Sequence, residues 1–187
     1  MSPDEAVVAV FAALDAAAIP YMLVGSLASN FHGIPRSTCD ADFVVAFSAD
    51  SLRTFEAHLP AGLLLERQGA FEAVTGTMRY LVVLAGSPFV CELFVLSDDA
   101  HDRERFARRQ SARVLSHAAY VASAEDMIIT KLRWAAGAQR GKDRDDIRNI
   151  LAVRGPELDW AYIDRWALAH GTAPLLAEIK ASVPAPP

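Results

Sequence analysis

Apolar residues recur along this chain with two periods, and the switch between them marks out its elements. Val7, Val10, Phe11, Leu14 and Ala18 fall at helical spacing and predict a first helix with one buried stripe. Ser2-Pro3-Asp4-Glu5 before it reads as a capping box with proline at the first helical position. Ile19-Pro20 ends that helix, and the unbroken apolar run Tyr21 to Val24 predicts a buried strand. Ser26 to about His32 predicts a short helix stopped by Gly33, and a second strand starts near Asp40 and runs through Phe43, Val44, Val45 and Phe47. Ser48-Ala49-Asp50 reads as the cap of a third helix ending near Pro60, and Leu63-Leu64-Leu65 with Phe71 to Val74 predicts a marginal hairpin. Arg79 to Leu84 and Phe89 to Leu96 predict two stronger strands joined by the turn Ala85-Gly86-Ser87-Pro88. Asp98-Asp99 begins a charged helix over His101 to Gln110, and Ala112 to Leu115 and Tyr120-Val121 read as short strands.

Beyond Ser123 the pattern becomes helical throughout. Ser123-x-x-Asp126 resembles a capping box, and Ile128, Ile129, Leu132, Ala135 and Ala136 supply one apolar face. Ile147, Ile150 and Leu151 do so for a second helix stopped by Gly155-Pro156, and Trp160, Ile163, Trp166 and Ala167 for a third stopped by Gly171. A last helix, roughly Ala173 to Lys180, precedes a proline-rich end expected to fray. The expected architecture is α/β of the α+β kind: a mixed sheet with flanking helices over residues 1–122, packed against a C-terminal helical part, 123–187. The two parts can equally count as one domain.

Composition changes this picture only in places. The 52% apolar content is ordinary, and no run approaches the length of a membrane span. The acidic start Met1-Ser2-Pro3-Asp4-Glu5 lacks the character of a signal peptide, and cytoplasmic location without a membrane partner is the expectation. Cys39 and Cys91 share no metal or redox spacing and are expected to be buried thiols; the five histidines are scattered and suggest no zinc site. Net charge is −5, yet 12 of the 18 Lys/Arg and only 6 of the 23 acidic residues lie between Arg103 and Arg154. That uneven stretch reads equally as a surface for an anionic partner such as RNA or as ordinary solvated helix faces.

The chemistry concentrates in Tyr21 to Val45. On a strand, Asp40 and Asp42 project from the same face. Two adjacent carboxylates repel unless a cation lies between them, and magnesium is commonly held by one or two carboxylates together with substrate phosphates. Gly25 lets a phosphate approach the backbone, and Ser26 stands where a helix presents free N–H groups. Gly25-Ser26, then Gly33-x-Pro35-Arg36-x-Thr38, then Asp40-x-Asp42 resembles the first motif of the nucleotidyltransferase superfamily, with its DNA polymerase beta-like fold. The segment His32 to Thr38 is similar to the branch containing the abortive-infection AbiEii-type toxins.

That resemblance extends over roughly residues 21–170. A second motif, Lys131-Leu132 followed by Arg140-Gly141-Lys142-Asp143-x-x-Asp146, also resembles the AbiEii-type branch. It implies a metal-dependent enzyme that moves a nucleotide from an NTP to an acceptor hydroxyl, with Mg2+ or Mn2+ on Asp40 and Asp42. Gly25 and Ser26 would hold triphosphate and Lys131 would neutralise its charge. Superfamily members commonly take a third carboxylate from a later strand, and Glu92 is the only acidic residue inside a predicted late strand; Glu92 and Asp146 both stand as candidates for third carboxylate or base. Arg36 reads as a partner of Asp42, a phosphate contact or a structural ion pair, and His32 as a helix-terminal residue. The branch further implies a toxin–antitoxin setting with tRNA as acceptor and a cognate antitoxin as partner. A small-molecule acceptor, as in antibiotic adenylylation, and a degenerate nucleotide- or partner-binding module without turnover are the alternatives.

Overall fold

The computed structural model describes residues 1–183 except 49, 74, 75, 139 and 140. Ala49, Val74, Arg140 and the proline-rich end, which figure in the sequence reading, lie outside the described residues.

Helix α1 (Pro3–Ala16) is capped as its sequence predicts: Glu5 donates its amide to the Ser2 hydroxyl at 3.2 Å, and the Glu5 carboxylate accepts from the Ser2 amide at 2.7 Å. Its stripe of Val7, Val10, Phe11 and Leu14 is buried. Ala18 does not join that stripe. It turns to φ 52° and is exposed, while the amide of Ile19 reaches back to the Leu14 carbonyl at 2.9 Å and Ile19 takes the buried position. This is a Schellman closure with alanine where glycine is usual.

Seven strands form one mixed sheet: β1 (Tyr21–Val24), β2 (Asp40–Val45), β3 (Leu63–Glu72), β4 (Thr77–Leu84), β5 (Val90–Val95), β6 (Gln110–Val114) and β7 (His117–Val121), in the order β3-β4-β5-β2-β1-β7-β6. β2 runs antiparallel to β1 and parallel to β5. β1 is buried at all four positions, because helices cover both faces of the sheet there. On one face Phe11 of α1 packs edge-on against Phe43 and beside Tyr21, and helix α3 (Ser51–Ala57) adds Phe55.

The other face carries α2 (Gly25–His32), α4 (Ala100–Ala107), α5 (Ala124–Ala138) and α6 (Gly141–Arg154), with α7 (Trp160–Ala169) and α8 (Ala173–Ala181) packed behind them. Buried hydrophobic residues from Ala6 to Ile179 make a single core cluster. Gly33 stops α2 and also lets it touch α6: a Cβ there would lie 2.8 Å from the Ile150 amide nitrogen. His32 bonds the Ala122 carbonyl through Nε2 at 2.7 Å, so it ties the end of α2 to the β7–α5 junction.

Several boundaries differ from the sequence reading. β3 is one ten-residue edge strand antiparallel to β4, with an irregularity between Glu66 and Ala70, rather than two pieces of a marginal hairpin. Its alternation is hidden because an edge strand exposes both faces through its polar middle. β2 ends at Val45, α3 starts at Ser51, and α4 stops at Ala107 because Gln110 begins a hairpin of β6 and β7. Cys91 is buried but Cys39 is exposed at the entry to β2, which corrects the expectation of two buried thiols.

Candidate active site

Alternation along β2 sends Ala41, Phe43 and Val45 into the core and turns Asp40, Asp42 and Val44 to the opposite face, where they line a cleft of about 230 Å³. The parallel pairing with β5 puts Asp42 beside Glu92. Across β1, Val24 pairs with Asp42, and the chain turns directly from Val24 into α2. Gly25 makes that turn at φ 64°, and a Cβ on it would stand 1.8 Å from Asp42 Oδ2. Only glycine fits a backbone pressed this closely against a carboxylate.

Three carboxylates therefore face one another at the start of a helix. Loss of hydration, then Asp40, then Glu92 push the Asp42 carboxyl up to about 7, against the pull of Lys131 and Lys142. Asp40 accepts the Thr38 hydroxyl at 2.6 Å, and Glu92 is paired with Arg79 of β4 at 3.1 Å. Burial and nearby Asp42 push the Cys91 thiol, on the far face of β5, up to about 12. It is an inert core group.

The second motif approaches from α5 and α6. Lys131 is buried, with Nζ 3.0 Å from Asp143 and 2.7 Å from Asp146. Arg36 clasps the same Asp146 with two bonds, 2.6 and 2.9 Å, and its Nη2 donates to the Ser26 hydroxyl at 2.9 Å. Of the three partners the sequence allowed for Arg36, the structure gives it a buried aspartate, not Asp42. Burial works against the charge of Asp146, but the hydrogen bonds from Arg36 and Lys131 prevail and hold its carboxyl below the usual range. Since Arg36 donates to Ser26, the Ser26 hydroxyl proton is left to point elsewhere. Lys131 and Asp143 line the cleft together with Asp40, Asp42 and Glu92, whereas Asp146 stands behind them as an anchor.

Sequence reasoning passed over several cleft residues. Arg105 reaches the cleft from α4, buried, bonded to Asp102 at 2.8 Å and to the Thr130 hydroxyl at 3.1 Å. Its helix reads as uniformly charged; the available signal is the apolar Phe106 next to it, with Asp102 three residues before. Lys142 lines the opening but stands in the second motif without a predicted role. Trp134, Arg79 and Glu72 also line the cleft, and nothing in their local spacing marks them.

The basic stretch is largely self-neutralised. Arg103, Arg144, Arg148 and Arg154 pair with Asp98, Glu178, Asp145 and Glu157. Arg108 lies 3.9 Å over the Tyr162 ring, and Arg109 lies 4.4 Å over Phe106.

No protein-family model matches the chain, and no curated protein does. Solved structures do. The antibiotic-resistance factor ANT(2'')-Ia superposes with a TM-score of 0.62 at 12% identity, over 94% of this chain and 94% of that one. The complex of ANT(2'')-Ia with adenylyl-2''-tobramycin gives 0.58 at 14%, over 90% and 97%. An antigenic nucleotidyltransferase-like protein from Paracoccidioides brasiliensis gives 0.53 at 18%, over 98% and 95%. The chain has a nucleotidyltransferase-like fold. In this chain the sheet brings Asp40, Asp42 and Glu92 to the cleft, and α4, α5 and α6 bring Arg105, Lys131 and Lys142 to it. None of the described helices is long and apolar enough to cross a membrane.

Proposed function

We propose that the protein is a metal-dependent nucleotidyltransferase that moves a nucleoside monophosphate from an NTP to an acceptor hydroxyl. The observation that carries this reading is the gathering of Asp40, Asp42 and Glu92 beside the Gly25-Ser26 helix start, with Lys131, Lys142 and Arg105 in the same cleft. A set of carboxylate oxygens suits a hard cation such as Mg2+ or Mn2+, and the raised proton affinity of Asp42 comes first from its loss of hydration and then from Asp40 and Glu92, which a bound cation would offset. Asp40, Asp42 and Glu92 would hold the ion, which when bound relieves the repulsion between carboxylates and phosphates. Glu92 rather than Asp146 is the third carboxylate in this reading, because the β2–β5 register sets Glu92 beside Asp42 in the cleft, whereas Asp146 lies behind it on Arg36 and Lys131.

The amides of Gly25 and Ser26 and the Ser26 hydroxyl take the triphosphate, and Lys131 and Lys142 balance its charge. The acceptor oxygen forms a bond to the α-phosphorus while the bond to the pyrophosphate oxygen breaks. Glu92 receives the acceptor proton, and pyrophosphate leaves.

For the acceptor, the two AbiEii-like motifs support tRNA and a toxin–antitoxin setting with a protein antitoxin. A second reading, a small-molecule hydroxyl, draws on the internal pairing of the arginines that would otherwise face RNA phosphates, and on the ANT(2'')-Ia complex with adenylyl-2''-tobramycin. The deciding assay incubates the protein with each radiolabelled NTP, magnesium, and either total tRNA or tobramycin. Label on RNA, lost in Asp42→Asn, supports the first reading; label on tobramycin supports the second. Nucleotide binding without transfer to either would mark a degenerate module.

A further inference from the structure

A second cluster of chemistry-bearing side chains lies where α4 begins and α7 ends. Asp99 caps α4, with Oδ1 accepting the amides of His101 and Asp102 at 3.0 and 3.1 Å. His101 is fully buried; its Nε2 lies 3.3 Å from Asp126, and its Nδ1 is buried with no hydrogen-bond partner among the described residues. His170, just past the last turn of α7, stands with its ring centroid 5.2 Å from that of His101, and its Nδ1 is likewise buried with no partner among the described residues. One ligand atom from each of Asp99, His101 and His170 lies within 4.8 Å of the other two.

We propose that Asp99, His101 and His170 form a binding site for a zinc-like transition-metal ion, separate from the carboxylate cleft. Two neighbouring ring nitrogens left unsatisfied in the interior call for something that accepts lone pairs from both, and a cation does. Two imidazoles and one carboxylate are a zinc-type donor set, unlike the all-oxygen set that suits magnesium. Asp126 supplies the outer support such sites use: taking the Nε2 proton of His101 leaves the Nδ1 lone pair free for the ion. Tetrahedral zinc with bonds of about 2.0–2.1 Å needs ligand atoms about 3.3 Å apart, so the cluster closes further on binding. Asp99, exposed and reached by Arg133 at 3.6 Å, is the side chain able to make that adjustment, with the ion replacing the arginine contact. Three protein ligands leave a fourth position for water. The bound ion would join the start of α4, whose Arg105 lines the cleft, to the end of α7.

The test uses the whole protein, stripped with chelator and returned to excess Mg2+, and titrates Zn2+ by calorimetry into wild type, Asp42→Asn, His170→Ala and Asp99→Asn. Asparagine caps a helix as well as aspartate, so Asp99→Asn removes the ligand charge and keeps α4 intact. Wild type and Asp42→Asn should each take up about one Zn2+, with a higher Tm, while the other two lose about 100-fold or more in affinity. Cobalt substitution should give the visible absorption of a tetrahedral site in wild type and not in His170→Ala. Should His170→Ala fail to fold by circular dichroism, Asp99→Asn alone decides. No zinc uptake by wild type, uptake unchanged by the ligand variants, or uptake abolished by Asp42→Asn would each overturn the site.

Discussion

Replacing Asp42 by asparagine should make the metal-free protein more stable, and increasingly so as pH rises. An aspartate whose pKa lies near 3.8 in the unfolded chain and about 7 in the fold binds its proton more tightly when folded. The fold therefore suffers no penalty below the unfolded value, and loses stability as pH climbs through the folded one. Linkage puts that loss at about 1.7 kcal/mol at about pH 5 and about 4 kcal/mol at about pH 8. The useful quantity is the change of about 2.5 kcal/mol between the two pH values, which does not depend on how well asparagine packs. Urea unfolding of both proteins in chelator, at several pH values, measures it. The stability advantage of Asp42→Asn should widen toward alkaline pH, and saturating magnesium should shrink it by supplying the missing charge to wild type. Parallel pH profiles, or an asparagine variant less stable than wild type at about pH 8, would refute the electrostatic reading of the cleft.

Three other outcomes follow from particular contacts. Gly25→Ala combines a left-handed backbone with a clash against Asp42, so it should lower stability by about 2 kcal/mol or more and abolish NTP binding, read by Tm and calorimetry. Lys131→Met takes one buried cation away from Asp143 and from Asp146, which keeps its Arg36 clasp, and should lose about 3 kcal/mol in urea unfolding; a change below about 1 kcal/mol would show the lysine to be dispensable to the fold. Ala18→Gly, at φ 52°, should instead stabilise by about 0.5–1 kcal/mol, because glycine suits the helix-closing position that alanine occupies under strain.

Local pattern determined much of this protein. The helical stripe of α1, the unbroken run of β1, the alternation of β2 and the turn before β5 each follow from periods of 3.6 and 2 that any short window displays. The same alternation implied that Asp40 and Asp42 share a face, and the Gly25-Ser26 pair implied a helix start beside them. These features were legible because their causes lie within a few residues.

Only the tertiary structure decided which faces meet. Periodicity says that a side is buried, not against what. The choice of Glu92 as the neighbour of Asp42 is a matter of strand register between β2 and β5, elements separated by a hairpin and a helix. The union of Arg36 with Asp146 spans 110 residues, and at that separation Asp42, a phosphate and a distant aspartate are indistinguishable from sequence. Arg105 and the His101–His170 pair were hidden for the same reason: a charged helix and scattered histidines acquire an inward side only when α4, α5 and α7 pack together. Chain-local rules specify what each segment offers; packing of distant segments selects which of those offers becomes a site.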